Sequence, residues 1–261
     1  MDFQIKGKTA LVFGGAGGLG SSIALALGRE GCQVAIADIN SDGLDAVVQR
    51  LLTRDASALP IVWDLADLSV LPANLELIAK TFGPVDILVN NTGGPPPSPV
   101  SGIDAAAWAT SFQKMVQPVI TITDHVLEGM RARKWGRVIT SASSGVIAPI
   151  PNLGVSNTLR SALVGWSKTL AREVARDGIT VNVVVPGRIA TDRIQFLDAE
   201  KAKREGTPVD QVAAESTASI PLGRYGRPEE YADVIAFLAS AQASYVTGST
   251  VRVDGGLIPS V

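Results

Sequence analysis

Five glycines fall within seven consecutive positions near the start of this chain: Gly14, Gly15, Gly17, Gly18 and Gly20. Glycine lets a backbone take positive φ and approach a ligand closely, so such a cluster suits a group that side chains would obstruct. The flanking residues say which group. Ala10 to Phe13 is an apolar run of strand type, and Ile23 to Leu27 is an apolar helical face that ends near Gly28 and Gly31. Strand, glycine turn and helix N-terminus together offer unpaired N–H groups and a positive dipole end to an anion, the chemistry of a pyrophosphate cradle. Eighteen residues beyond Gly20, Asp38 closes the next apolar stretch, where a carboxylate can accept hydrogen bonds from the adenine-side ribose of a dinucleotide. The glycines read in two registers, Gly15-x-Gly17-x-x-Gly20 and the wider Gly14-x-x-x-Gly18-x-Gly20. With strand, helix and acid all in place, the context predicts dinucleotide binding.

The elements that must position this turn alternate between strand and helix along the whole chain, which predicts a parallel sheet covered on both faces. The expected fold is a single α/β Rossmann domain over 1–261, with no second-domain boundary or internal repeat. A third strand over 59–63 ends at Asp64, which can meet the adenine amino group or cap a helix; the sequence leaves both open. The fourth, over 85–89, opens into Asn90-Asn-Thr-Gly-Gly-Pro-Pro-Pro, a stiff loop on the carboxyl edge of the sheet. A long helix interrupted or bent near Pro118 is expected over about 104–133, and another over about 152–176. Between them a strand over 137–140 leads into Ser141-Ala-Ser-Ser-Gly145. Residues 188–220 follow a sixth strand and suit a mobile lid. Its cations, Arg188, Arg193, Lys201, Lys203 and Arg204, are offset by Asp192, Asp198, Glu200 and Glu205, so a solvated mixed-charge face is expected there.

Composition narrows the class. A net charge of −2 points to no nucleic-acid or membrane-surface partner. The single cysteine, Cys32, permits no internal disulfide and reads as a buried structural thiol in a reducing compartment. No basic-then-apolar leader and no apolar run of membrane-spanning length is evident, so a cytoplasmic protein is expected. The only histidine, His125, has no neighbouring metal ligands, and no metal is expected.

The wider set of motifs resembles the short-chain dehydrogenase/reductase family over nearly the whole chain. It consists of Gly14-x-x-x-Gly18-x-Gly20, Asp64, Asn90-Asn-x-Gly93, Pro186-Gly187-x-x-x-Thr191, Gly226-x-Pro-Glu-Glu230 and Val246-Thr-Gly248 followed by Val253-Asp-Gly-Gly256. The nearest likeness is to the 3-oxoacyl-carrier-protein reductase branch and its polyol and steroid dehydrogenase neighbours. The resemblance implies a doubly wound sheet of seven parallel strands. It implies cofactor contacts at Gly14, Gly18, Leu19, Gly20, Asp38, Asp64, Leu65, Asn90, Gly93, Pro186 and Gly187. The Ile189 backbone and Thr191 hydroxyl would hold the nicotinamide amide, and long helices would pair chains into a homodimer or homotetramer.

The resemblance breaks at the catalytic positions. The family places a serine thirteen residues before a tyrosine and a lysine four residues after it. Here those positions are Ser143, Ser156 and Arg160, and a customary asparagine is Met115. Arg160 keeps the positive charge and can also contact the cofactor ribose, whereas Ser156 removes a phenol whose ordinary pKa is about 10. General acid catalysis contributes roughly 10²–10⁴-fold, so proton transfer needs another route, such as Ser143 or Ser144 acting through water. The expectation is an oxidoreductase that interconverts a carbonyl and an alcohol on a small-molecule substrate. The alternative is a nucleotide-binding homologue without turnover. Because the Asp38 carboxylate would repel a 2′-phosphate and Ala16, Gly17 and Ile39 supply no cation, NAD(H) is expected over NADP(H).

Overall fold

The computed structural model describes residues 2–261; Met1 lies outside the described residues. The glycine-rich segment folds as expected, with β1 (Thr9–Phe13) leading through the turn into α1 (Gly18–Arg29). There follow β2 (Gln33–Asp38), α2 (Ser41–Leu52), β3 (Ala58–Val62), α3 (Leu71–Phe82) and β4 (Ile87–Asn90). The second half adds α4 (Ala105–Met115), α5 (Gln117–Arg133), β5 (Gly136–Ser141), α6 (Gly154–Val174) and β6 (Ile179–Pro186). The chain closes with α7 (Asp192–Glu205), α8 (Val209–Ala218), α9 (Pro228–Ala239) and β7 (Thr250–Val253).

All seven strands pair in parallel in the order β3-β2-β1-β4-β5-β6-β7. The chain winds one way from β1 and then restarts at β4, so the two loops leaving β1 and β4 part and open a crevice at the sheet's carboxyl edge. Strand periodicity decides which side chains cover which face. Ala10 and Val12 of β1 pack with Ile23 and Leu27 of α1, Leu44 of α2 and Ile235 of α9. Leu11 and Phe13 point the opposite way, onto Ile78 of α3, Ile122 and Met130 of α5 and Leu170 of α6. With both faces covered, β1 reads as an unbroken apolar run rather than an alternating one.

The long helix over 104–133 is two helices, broken at Val116, because Pro118 has no N–H to continue α4 and instead occupies the first turn of α5. The cap of α2 is Asn40, whose side chain accepts the Gly43 N–H at 3.0 Å. Segment 188–220 folds into α7 and α8.

Cys32 is buried, with its thiol 3.4 Å from the Ile5 carbonyl. Burial pushes its pKa from 9.0 up to about 12. Only the thiolate is a strong nucleophile, so native protein at pH 8 is expected to resist iodoacetamide, with full labelling on unfolding in guanidinium; rapid native labelling, read by mass spectrometry, would contradict this burial. The folded chain keeps this proton over an interval in which the unfolded chain releases it. Through this group alone, stability therefore falls as pH rises from about 9 toward 12. No helix among the described residues is long and apolar enough to cross a membrane.

Candidate active site

The crevice is a cavity of about 1040 Å³ between the loops after β1, β4, β5 and β6, walled by α4 and α7. At its floor the glycine turn is drawn tight. Gly14 has φ of +62°, and a Cβ there would stand 2.6 Å from Asn91 Nδ2; a Cβ on Gly20 would stand 2.0 Å from the Gly14 carbonyl oxygen. Gly18 abuts Thr191, whose methyl would be 2.8 Å from a Gly18 Cβ. No side chain caps α1, so its first-turn N–H groups face the crevice unclaimed. Thr92 Oγ1, also buried on the cavity wall, has no partner among the described residues. A tight, side-chain-free turn at an uncapped helix start fits a diphosphate.

Gly14, Gly18, Leu19, Asp38, Asp64, Leu65, Gly93, Pro186, Gly187, Ile189 and Thr191 all line this cavity. Gly20 lies beneath it as the helix packing point. Asn90 does not line it: its side chain is buried and donates to Thr123 Oγ1 at 3.3 Å, tying β4 to α5. Its neighbour Asn91 turns toward the glycine loop instead and donates to the Phe13 carbonyl at 3.3 Å. Of the two roles open to Asp64, helix capping falls to Asp67, which accepts the Ser69 N–H, while Asp64 accepts the Ala66 N–H at 2.9 Å. The loop carrying Ile189 is clamped by Gly226, through Gly226 N–H to Arg188 O and Ala190 N–H to Gly226 O, each 2.9 Å. That clamp uses the glycine of the Gly226-x-Pro-Glu-Glu230 motif, where a Cβ would strike Ile189 Cδ1 at 2.6 Å.

Ser143, Ser156 and Arg160 come together at the opposite end of the same cavity. Ser143 leaves β5 at the head of a short 3₁₀ turn, and its Oγ accepts the Gly145 N–H at 3.1 Å, so its own proton is free to donate elsewhere. Ser156 and Arg160 share one face of α6, one turn apart. The start of α6 is pinned by a short bridge, Ser98 N–H to Asn152 O at 2.8 Å and Gly154 N–H to Ser98 O at 3.1 Å. Arg160 is 7% exposed and has no carboxylate partner among the described residues. Its guanidinium donates to the carbonyls of Thr92 (3.0 Å), Gly93 (3.1 Å) and Ser141 (3.3 Å), joining the loop after β4 to the end of β5. Burial without a counter-ion lowers its pKa to about 10. Met115 is buried and lines the cavity, placing a thioether where the family has an amide. Tyr231 offers no substitute phenol: it is fully buried under the sheet, bonded to Ser141 Oγ at 2.8 Å, and burial holds its pKa well above the usual value.

The charged segment 188–220 is not the uniformly solvated face expected of it. Asp198 is 3% exposed, paired with Arg188 and accepting Tyr225 Oη–H at 2.7 Å. Arg193 turns inward and donates to the Pro95 carbonyl at 2.8 Å. Along the sequence Arg193 is one of five cations offset by four acids, so its charge alone does not set it apart. The signal for it was Gly94, a residue without a side chain beside three prolines.

A doubly wound parallel sheet with an uncapped, glycine-rich first turn at its crevice defines a Rossmann fold with a seat for a dinucleotide diphosphate. The model of the enoyl-(acyl carrier protein) reductase family matches residues 14–258. The 3-oxoacyl-[acyl-carrier-protein] reductase FabG of Escherichia coli is 35% identical over 256 residues, covering 97% of this chain and 98% of that protein. L-sorbose reductase from Gluconobacter frateurii, solved with NADPH and L-sorbose, superposes with a TM-score of 0.93 at 30% identity over 100% of both chains. An actinorhodin polyketide ketoreductase variant solved with NADPH gives a TM-score of 0.91 at 30% identity, over 96% of this chain and 97% of that one. The chain belongs to the short-chain dehydrogenase/reductase family and is an NAD(P)-dependent oxidoreductase of the 3-oxoacyl-carrier-protein reductase-like kind.

These relatives overturn the expected preference for NAD(H), since the similar reductases carry NADPH. The charge argument treated Asp38 as a free anion. In the structure both carboxylate oxygens are engaged, Oδ2 by the Ala16 N–H and Oδ1 by the Asn40 N–H, each at 3.1 Å. Asp38 thus braces the glycine turn against the end of β2, and beside it Ile39 is 70% exposed, leaving the space next to the ribose open to water.

Proposed function

We propose that this protein reduces the carbonyl of a small molecule to an alcohol with NADPH, or runs the reverse reaction with NADP+. The observation that carries the proposal is the convergence, in one cavity, of the glycine turn at one end and Ser143, Ser156 and Arg160 at the other. The turn from Gly14 to Gly20 and the α1 N-terminus hold the diphosphate. Asp64 and Leu65 flank the adenine. Asn90 supports the nicotinamide end from behind, with Gly93, Pro186, Gly187, Ile189 and Thr191 around it, and Arg160 beside the ribose. When bound, the cofactor supplies or accepts a hydride at nicotinamide C4.

The chain's own residues handle the oxygen. Ser143, whose lone pair is taken by Gly145, donates its O–H to the substrate carbonyl. Arg160 contributes a fixed positive charge in a dry setting, where it stabilises negative charge that develops on that oxygen. No phenol stands at position 156, so the proton that completes the alcohol comes from water by way of Ser143 and Ser156. The replaced tyrosine, lysine and asparagine positions favour a second reading, a homologue that binds nucleotide and turns nothing over. Segment 188–220 acts as the lid of the site, and exposed Phe112 on α4 favours a homodimer or homotetramer that covers it.

Calorimetric titration tests the cofactor assignment. NADPH is expected to bind saturably and more tightly than NADH. Asp38→Ala is expected to weaken NADPH binding by about three- to tenfold, because the Ala16 N–H loses the acceptor that braces the glycine turn. Tighter NADH than NADPH binding in the unaltered protein would refute the assignment.

A further inference from the structure

Charge is unevenly distributed along the cavity. Asp38 and Asp64 line the end under β2 and β3; Lys114, Arg160 and Arg193 line the other, where Asp192 and Asp198 also reach the wall from α7. The remaining cations on its wall have acidic partners: Arg188 pairs with Asp198, Lys201 with Glu205 and Glu215, and Arg204 with Glu205. Among the described residues, no carboxylate comes within 4.0 Å of Lys114, Arg160 or Arg193. Arg160 engages three of its five N–H donors with carbonyls. Arg193 engages only one, with Pro95 O at 2.8 Å.

Arg193 has a built seat. A Cβ on Gly94 would lie 3.0 Å from its Nη2 and 3.4 Å from Cζ, so glycine gives the guanidinium room to lie close against this loop. Pro95, Pro96 and Pro97 keep the loop stiff, and the Phe196 ring stands 5.5 Å from Cζ on the other side. Burial lowers the Arg193 pKa, and its charge adds to the lowering at Arg160. Two partly desolvated cations therefore share one cavity with no carboxylate within 4.0 Å of either, an arrangement that an incoming anion would relieve.

We propose that Arg193 anchors a free carboxylate on the substrate, which makes the substrate class oxo acids and the corresponding hydroxy acids. A guanidinium edge matches a carboxylate with two parallel hydrogen bonds, and Lys114 on the facing wall adds long-range attraction. The other oxyanion the site would hold is the cofactor diphosphate. Its seat is at Gly18 and Thr191, whereas the Arg193 guanidinium is turned to Gly94 and Pro95 on the loop after β4. The assignment rests on the oxidoreductase reading above and specifies its substrate.

The test pairs 2-oxobutanoate, acetoacetate and 4-oxopentanoate with their methyl esters, using NADPH oxidation for turnover and calorimetry on the NADP+ complex for binding. At least one acid is expected to be favoured over its ester by more than tenfold in kcat/KM. Arg193→Met is expected to raise KM for that acid about ten- to a hundredfold, leaving the ester and the NADPH Kd unchanged. Arg193→Lys is expected to recover part of the loss, which a merely structural role would not produce. Equal use of acids and esters by the unaltered protein would overturn the proposal. So would a loss of NADPH affinity in Arg193→Met with the acid-to-ester ratio intact, which would assign the arginine to the diphosphate. Binding of an acid that needs Arg193, without turnover of any compound, would keep the anchor and defeat the oxidoreductase reading. Absence of both binding and turnover for all three acids would defeat the anchor.

Discussion

Gly20→Ala is expected to abolish saturable NADPH binding and to lower the melting temperature of the protein. The added Cβ would sit 2.0 Å from the Gly14 carbonyl oxygen, 2.6 Å from its carbon and 3.1 Å from Gly15 Cα. Each of these is backbone, so no side chain can rotate away; α1 has to move. That helix buries Ile23, Ala24 and Leu27 against the sheet, and repacking of this kind costs about 1–3 kcal/mol or more. The same movement pulls the first-turn N–H groups off the diphosphate, so an affinity loss of at least about a hundredfold is expected, on the scale of two charged hydrogen bonds. Gly165→Ala is the matched control, since a Cβ there meets nothing within 4 Å and a helical glycine gains about 0.5–1 kcal/mol on becoming alanine. Differential scanning fluorimetry and calorimetry read both effects. Gly20→Ala protein with unaltered melting and NADPH affinity would show that the turn is not the cradle.

The second large effect is expected at Arg160. In Arg160→Ala three carbonyls, on Thr92, Gly93 and Ser141, lose their donor, and an unpaired buried acceptor costs about 1–3 kcal/mol. Water entering the enlarged cavity recovers part of that. The loop after β4 then loses its link to the end of β5, and Ser143, two residues beyond Ser141, loses its fixed position. Turnover is expected to fall by roughly 10²-fold or more, the scale of one electrostatic stabiliser, and Ser143→Ala combined with it is expected to leave no measurable turnover. Arg160→Lys separates charge from geometry. An ammonium keeps the positive charge but is a compact point donor without the planar fork, so activity between the alanine variant and the natural protein is expected. Survival of turnover in the double alanine variant would place the chemistry elsewhere.

Much of this architecture was legible in the residues because it depends on local pattern. Ala10 to Phe13, the glycines and Ile23 to Leu27 spell strand, turn and helix within twenty residues, and the alternation that follows fixes a parallel sheet. What was not legible depends on contacts between distant segments. Asp38 looked like a bare anion until the turn brought the Ala16 N–H, 22 positions away, onto its carboxylate. Asp198 looked solvated until Tyr225, 27 positions on, closed over it. Charge counted along the sequence could not distinguish Arg188, which is paired, from Arg193, which is not. The candidate catalytic positions were read from the family spacing alone, yet only the folded chain reveals that the Arg160 charge is held by three carbonyls rather than by an acid.

Transfer of label from coenzyme to product is the most direct test that this is a working oxidoreductase and not a nucleotide-binding relic. The purified protein is incubated with NADPH deuterated at nicotinamide C4 and the panel of oxo acids and esters, and alcohols are sought by mass spectrometry. The account predicts an alcohol carrying one deuterium on the former carbonyl carbon, formed by the natural protein and not by the Ser143→Ala/Arg160→Ala variant. Saturable binding of the labelled coenzyme with no deuterated alcohol from any member of the panel would contradict it.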